Sequence, residues 1–193
     1  ILTYYYNMTH TPKNSGWIEV ICGSMFSGKT EELIRRIRRA EIAKMKTIIF
    51  KPNIDNRYSS NHIVSHNQSK MKSIVINDIN EIIDLSKKMD VVGIDEAQFF
   101  STDLVNVSKK LASINKRVLV AGLDTDFRGI PFGPMPALMC ESDYLDKLRA
   151  ICVKCGNPAS FSQRIIKDSE QVLIGETNIY EARCRNCFNI VED

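Results

Sequence analysis

Residues 17 to 30 read Trp17-Ile18-Glu19-Val20-Ile21-Cys22-Gly23-Ser24-Met25-Phe26-Ser27-Gly28-Lys29-Thr30. The first six form a mostly apolar run of strand length, and the glycine that follows ends it. After Thr30 the apolar period changes, because Leu33, Ile34 and Ile37 recur at helical spacing. The last eight residues match Gly-x-x-x-x-Gly-Lys-Thr, in which glycines let backbone N–H groups wrap a phosphate chain at a helix N-terminus. A strand, a glycine-rich turn and a helix therefore predict a phosphate-binding P-loop.

Apolar strands alternate with helical segments along the next hundred residues. Further strands are predicted at 47–50, 73–76, 91–95 and 117–123, with helices at 79–85 and 104–114. This alternation is typical of a parallel sheet that is covered on both faces by helices. We therefore predict an α/β core from residue 16 to 150, a flexible tail over 1–15 and a small C-terminal domain over 151–193. The polar segment from Asn53 to Lys70 is predicted to be a mobile surface loop.

Composition limits the possible classes of protein. With 193 residues, of which 44% are hydrophobic, the chain can fill a sizeable core. No apolar run approaches the roughly 18 to 20 residues that span a bilayer, and residues 1–7 lack the basic segment followed by an apolar stretch that is typical of a secretion signal. The net charge of +3 is spread along the chain, and its densest basic cluster, Arg35 to Arg39, is predicted to be the solvated face of a helix. We expect a cytoplasmic protein with neither a membrane nor a nucleic-acid partner.

The P-loop supplies candidates for phosphoryl-transfer chemistry. Lys29 is placed to reach the β- and γ-phosphates of ATP, and the hydroxyl of Thr30 to hold Mg²⁺. Asp95 ends an apolar strand, where such folds place the acid that holds hydrated Mg²⁺. Glu96 follows directly and can accept a proton from an attacking hydroxyl. The alternative is that Asp95 and Glu96 are only a strand end and a helix cap.

Four of the six cysteines form two Cys-x-x-Cys pairs: Cys152, Cys155, Cys184 and Cys187. Each pair can offer two thiolates to one ion, so the spacing predicts a tetrahedral zinc site. Four thiolates leave no open coordination position, and the zinc is therefore expected to be structural. The alternative is two free thiol pairs.

For two further groups of residues, the residue types alone leave two interpretations open. Four aromatic residues fit either core packing or base stacking: Phe99, Phe127, Phe132 and Tyr180. Asp55 and Arg57, in the long polar segment, either pair with each other or reach phosphate and Mg²⁺.

Five motifs, taken in order, closely resemble the type II thymidine kinases, the cytosolic zinc-containing family. They are Gly23 to Thr30, Lys51-Pro52 leading to Asp55-x-Arg57-Tyr58-Ser59, Asp95 to Phe100, Phe127 with Pro131-Phe132-Gly133, and the two Cys pairs. The resemblance covers nearly the whole chain. It implies a RecA-like P-loop NTPase core and a C-terminal zinc-ribbon-like domain that carries a lasso loop.

The resemblance also implies transfer of the γ-phosphoryl group of ATP to the 5′-hydroxyl of thymidine, with Glu96 as general base. The implied ATP and Mg²⁺ contacts are Gly23, Ser24, Met25, Phe26, Ser27, Gly28, Lys29, Thr30, Asp55, Arg57, Asp95 and Gln98. The implied nucleoside contacts are Met25, Phe99, Leu123, Phe127, Phe132, Ser162, Arg164, Gln171, Val172, Leu173, Ile174, Gly175 and Tyr180. In such a site the base stacks on Phe127 and is covered by the lasso, which zinc pins at both ends.

Members of this family are usually homotetramers and are inhibited by thymidine triphosphate, and the resemblance implies both properties here. The rival function is a nucleic-acid-dependent ATPase with a zinc ribbon, because Asp95-Glu96-Ala97-Gln98 looks like a helicase motif. A helicase needs two such domains and about twice this length, which argues against it.

Overall fold

The computed structural model describes residues 15–53, 62–64, 70–166 and 179–189, with backbone only at 62–64 and Lys70. In chain order the strands of the sheet and its neighbouring hairpin are β1 (Trp17–Gly23), β2 (Thr47–Pro52), β3 (His62–Val64), β4 (Lys70–Lys72), β5 (Ile74–Ile76), β6 (Val91–Ile94), β7 (Arg117–Gly122) and β8 (Tyr144–Leu148). The helices are α1 (Lys29–Ile42), α2 (Glu81–Leu85), α3 (Leu104–Ser113) and α4 (Met135–Glu141). The C-terminal strands are β9 (Ala150–Ile151), β10 (Pro158–Ala159), β11 (Phe161–Arg164) and β12 (Tyr180–Arg183).

Six strands form one parallel sheet in the order β5-β2-β6-β7-β1-β8. The strand of the P-loop, β1, lies between β7 and β8, while β6 lies on the far side of β7. All six strands run the same way, so their carboxyl ends meet at one edge of the sheet. That edge receives both the P-loop after β1 and Asp95 after β6, which confirms the predicted parallel α/β fold.

Helices cover both faces of this sheet. The apolar stripe of α1 buries Leu33, Ile34 and Ile37 against one face. Leu104 and Leu111 of α3 pack with residues of α2 and α4 against the other face. Charges along α1 agree with its dipole, because Glu31 and Glu32 lie in the first turn and Arg39 in the last. The two-sided covering explains why the central strands are apolar throughout.

The structure adds elements that the sequence pattern did not predict. The edge strand β8 exposes Leu145, Asp146 and Lys147 in a row. The helix α4 begins beside Pro134 and has a second proline, Pro136, in its first turn. The segment from Asn53 to Lys70 is not a loop throughout, because β3 and β4 pair antiparallel as a short hairpin. Three-residue strands are too short to show an apolar period, so the pairing has no sequence signal.

The C-terminal module contains two small antiparallel sheets, β9 with β10 and β11 with β12. Its buried centre consists of small side chains and two thiols: Ala150, Cys152, Ala159, Ala182 and Cys184. This is too little apolar surface for a core of its own, as expected for a metal-supported module. Across the described ranges, no helix is both long enough and apolar enough to cross a membrane.

Candidate active site

The P-loop has the backbone that its glycines predict. Gly23 has φ +143° and Gly28 has φ +84°, which are conformations that side chains oppose. A Cβ at Gly23 would lie 2.3 Å from the carbonyl oxygen of Leu148, so this position also needs glycine for space. The Nζ of Lys29 donates to the carbonyl oxygen of Ser24 at 2.8 Å, which folds the lysine over the loop. Burial lowers the pKa of Lys29, although the charges of Glu96, Asp95 and Asp124 oppose this effect.

Thr30 and Asp95 lie together beside the P-loop. The hydroxyl of Thr30 donates to the carboxylate of Asp95, with oxygen–oxygen distances of 3.2 and 3.3 Å. Asp95 is buried, and its N–H donates to the carbonyl oxygen of Phe50 in β2. Burial, reinforced by the charge of Glu96, raises the pKa of Asp95 to about 7. A cation at this pair would relieve that cost, and a hydroxyl beside a carboxylate is a donor set that suits Mg²⁺.

Glu96 adopts a left-handed backbone, with φ 52° and ψ 41°, directly before the 3-10 turn Ala97–Phe99. Its carboxylate accepts a hydrogen bond of 2.5 Å from the amide nitrogen of Gln98. The amide oxygen of Gln98 accepts the N–H of Leu123 at 2.9 Å. Glu96 therefore occupies the N-cap position of the turn without a side-chain capping hydrogen bond, and its carboxylate is tied to Gln98 instead.

Four of the aromatic candidates pack in two groups. Phe99 and Phe132 meet edge to face with ring centroids 5.4 Å apart. The guanidinium carbon of Arg164 lies 3.6 Å from the centroid of Phe127, and Arg164 also donates to the hydroxyl of Tyr180 at 2.8 Å. Phe127, Phe132 and Tyr180 are all buried, so each is packed in the protein as the core-packing interpretation expects.

The C-terminal module contacts the P-loop directly. The N–H of Met25 donates to the hydroxyl of Ser162 in β11 at 2.9 Å. The hydroxyl of Ser24 donates to the carbonyl oxygen of Ala159 in β10 at 3.3 Å. Two predicted nucleoside contacts, Met25 and Ser162, are thereby brought together with the phosphate-binding loop.

The four cysteines of the two Cys-x-x-Cys pairs form one cluster. The sulfurs of Cys152, Cys155, Cys184 and Cys187 all lie within 4.8 Å of one another. A tetrahedral zinc with Zn–S bonds of about 2.3 Å needs sulfurs about 3.8 Å apart, so this donor set fits zinc in type and spacing. Bringing the two pairs together across residues 156–183 favours a metal site over two independent thiol pairs.

Several predicted residues lie outside the described ranges. These are Asp55 and Arg57 of the polar segment, and the lasso residues Gln171, Val172, Leu173, Ile174 and Gly175. Their assignments remain predictions.

The structure also shows a buried acid at this edge that was not predicted. Asp124 follows the end of β7 and pairs with Lys147 of β8 at 2.5 Å. Its signal in the sequence was the one used for Asp95, a carboxylate at the end of an apolar strand. Lys51 lies near the end of β2 at the same edge of the sheet, and burial lowers its pKa despite the charge of Asp95.

Comparisons with a family model and with known proteins point to the same family. A family model described as thymidine kinase matches residues 16–188. A thymidine kinase of Bacteroides fragilis (strain ATCC 25285) is 55% identical over 176 residues, which cover 91% of this chain and 88% of that protein. A thymidine kinase of Rhodothermus sp. (strain ITI 518) is 53% identical over 173 residues, covering 90% and 81%.

Among solved structures, the genome packaging NTPase B204 from Sulfolobus turreted icosahedral virus 2, in complex with sulfate, overlays with a TM-score of 0.43 and 20% identity. The overlay covers 69% of this chain and 74% of that protein.

Proposed function

This chain belongs to the thymidine kinase family, and we infer that it transfers the γ-phosphoryl group of ATP to the 5′-hydroxyl of thymidine, giving thymidine monophosphate and ADP. The single arrangement that best supports this reaction is the row Thr30, Asp95 and Glu96 beside the P-loop. Thr30 and Asp95 are proposed to form a cation site, and Glu96 is proposed to act as a proton acceptor next to it; the hydrogen bonds of Asp95 and Glu96 support this arrangement.

The P-loop is proposed to hold the ATP phosphates through its backbone N–H groups and Lys29. Lys29 has a ready position for this task, since its bond to the carbonyl of Ser24 can be exchanged for phosphate oxygens. Thr30 and Asp95 are proposed to hold Mg²⁺, which neutralises charge on the phosphates when it is bound. Phosphate charge next to Lys29 would also favour its protonated form, in spite of burial.

Glu96 is proposed to accept the proton of the thymidine 5′-hydroxyl as the new oxygen–phosphorus bond forms. The role requires a carboxylate that is fixed in place and adjacent to the metal-holding acid. The hydrogen bond from Gln98 supports this role, because it fixes the carboxylate of Glu96 directly after the residue proposed to hold the metal.

The thymine base is proposed to stack on Phe127 beneath the lasso of Gln171 to Gly175. In the structure Arg164 covers one face of Phe127, so stacking there requires that Arg164 move or that the base use the other face. Met25, Phe99, Leu123, Phe132, Ser162 and Tyr180 are proposed to close the pocket. Zinc held by the four cysteines is proposed to act indirectly, by fixing the module that carries β11 and β12.

Three further properties are proposals that rest on family membership. We expect a homotetramer, and we expect thymidine triphosphate to inhibit by occupying the nucleoside site. A reducing compartment such as the cytoplasm suits a protein whose four clustered cysteines must stay as thiolates to bind metal.

The experiment that tests this function is a nucleoside panel with the purified protein, ATP and Mg²⁺. Thymidine should be phosphorylated faster than other nucleosides and than nucleoside monophosphates. Glu96→Ala should retain ATP binding and lose about 10²- to 10⁴-fold in kcat, the usual range for a general base. Glu141→Ala removes a surface glutamate paired with Lys109 and should leave turnover unchanged. Absence of thymidine turnover in the wild type would refute the function, and wild-type turnover by Glu96→Ala would remove Glu96 from the base role.

A further inference from the structure

The family resemblance implies that Gln98 contacts ATP, but in the structure its side chain connects Glu96 to Leu123. It is a buried polar residue, 2% exposed, at the centre of the 3-10 turn that follows Glu96. One end of its amide meets the carboxylate of Glu96, and the other meets the backbone N–H of Leu123 after β7. The amide thus links the residue that follows β6 to the residue that follows β7. The nucleoside hydroxyl is proposed to bind at this edge of the sheet.

The orientation of this amide is set by hydrogen-bond chemistry. The N–H of Leu123 is a donor, and it requires the oxygen of the Gln98 amide on its side. A flipped amide would set two donors against each other at Leu123 and two acceptors against each other at Glu96. The NH₂ group must therefore point to Glu96, at 2.5 Å from its Oε2 atom.

Two glycines allow the chain to pack closely around Gln98. A Cβ at Gly122 would lie 2.8 Å from the amide oxygen of Gln98. A Cβ at Gly133, whose φ is +49°, would lie 2.3 Å from the backbone oxygen of Gln98. Gly122 therefore leaves room for the side-chain amide of Gln98, and Gly133 leaves room for the backbone of the same residue.

The backbone of Glu96 is in the left-handed region, which is strained for a non-glycine residue, so the surrounding contacts must hold this conformation. We propose that Gln98 is a positioning residue for the general base: its NH₂ group holds one carboxylate oxygen of Glu96 and leaves the other directed to the nucleoside hydroxyl. This inference rests on the proposed function, since it takes Glu96 as the base. It assigns Gln98 to the acceptor half of the site rather than to ATP binding.

Two variants test the proposal. Gln98→Met fills the same space but neither donates nor accepts a strong hydrogen bond, and Gln98→Glu keeps an acceptor for Leu123 while replacing the donor to Glu96 by a second acid. Each should lower kcat by about 10- to 100-fold, as expected for a lost hydrogen bond to a charged group. The KM for ATP should stay within about twofold, because neither variant alters the P-loop. Cooperative thermal unfolding of both variants should show that they are folded.

A double-mutant cycle gives the decisive measurement. In the Glu96→Ala background, Gln98→Met should cause little further loss of kcat, because no carboxylate is left to position. A loss of the same size in both backgrounds would mean that Gln98 acts on stability or ATP binding, and it would overturn the proposal. Near wild-type kcat in Gln98→Glu would overturn it as well. Failure of the proposed function is seen separately, in proteins that retain Gln98: the wild type would not phosphorylate thymidine, or Glu96→Ala would not lose activity.

Discussion

Gly133 shows how much a single residue contributes to the arrangement of the site. Its φ of +49° and the 2.3 Å approach of a Cβ to the backbone oxygen of Gln98 oppose any side chain twice, once through strain and once through overlap. Gly156 also has a positive φ, +74°, but a Cβ there would meet nothing within 4 Å. Substitutions at Gly156 and Gly133 therefore distinguish the cost of a left-handed backbone from the added cost of steric overlap.

Gly156→Ala should lower the free energy of unfolding by about 1 kcal/mol, which is the cost of left-handed backbone alone. Gly133→Ala should lower it by about 1 to 3 kcal/mol more, because backbone must shift to remove the overlap. It should also lower kcat, since the shift displaces Gln98 from Glu96. Urea unfolding and thymidine turnover of both variants provide the measurements. Equal losses of stability in the two variants would show that the turn relaxes freely around residue 133.

At the scale of elements, the contact between β11 and the P-loop joins the two halves of the protein. Ser162 accepts the N–H of Met25; Ser162 is buried and Met25 is half-buried. Ser162→Ala should leave this N–H without its acceptor, at a cost of about 1 to 3 kcal/mol. For a chain of this size, that loss should lower the unfolding midpoint by about 2 to 10 °C. Thermal unfolding measures the change.

Ser160→Ala is the matched control, because Ser160 lies in the same module and its described bond uses its backbone N–H. It should leave the midpoint nearly unchanged. If Ser162→Ala behaves like this control, the bond between β11 and the P-loop contributes no stability.

The elements also show where sequence patterns succeed. The strands β1, β6 and β7 lie in the middle of the sheet, so their apolar runs identified them, and the stripe of α1 fixed that helix. The edge strand β8 is half solvated and carries charges such as Asp146 and Lys147, so no apolar run marks it. The helix α4 begins among prolines, which usually indicate a loop.

The residues of the candidate site also divide into those that a local sequence pattern predicts and those that it does not. Thr30, Asp95 and the four cysteines were predictable because each belongs to a fixed local spacing or a strand end. The link from Gln98 to Leu123 and the link from Met25 to Ser162 join residues 25 and 137 positions apart, and no local pattern records such contacts.

In the whole molecule, the C-terminal module depends on the cysteine cluster. The two pairs flank the hairpin of β11 and β12, and the segment between these strands contains the predicted lasso. In the described part of the module the buried cluster consists of small side chains and thiols, so a metal there would add to the two hydrogen bonds that hold the module against the P-loop. A zinc bound by four thiolates would supply folding free energy to the module directly.

Loss of one thiolate should therefore raise the KM for thymidine more than the KM for ATP. Cys184→Ser should reduce the bound zinc well below one ion per chain and raise the KM for thymidine by about 10-fold or more, by analogy with the effect of disturbing metal-site residues. The KM for ATP should rise by only a few fold, because the P-loop loses its contacts with Ser162 and Ala159 but keeps its own backbone. Cys140→Ser removes an exposed cysteine outside the cluster and should change neither constant. Metal analysis with steady-state kinetics makes the comparison, and an unchanged KM for thymidine in zinc-depleted Cys184→Ser would contradict the coupling of the metal to the nucleoside site.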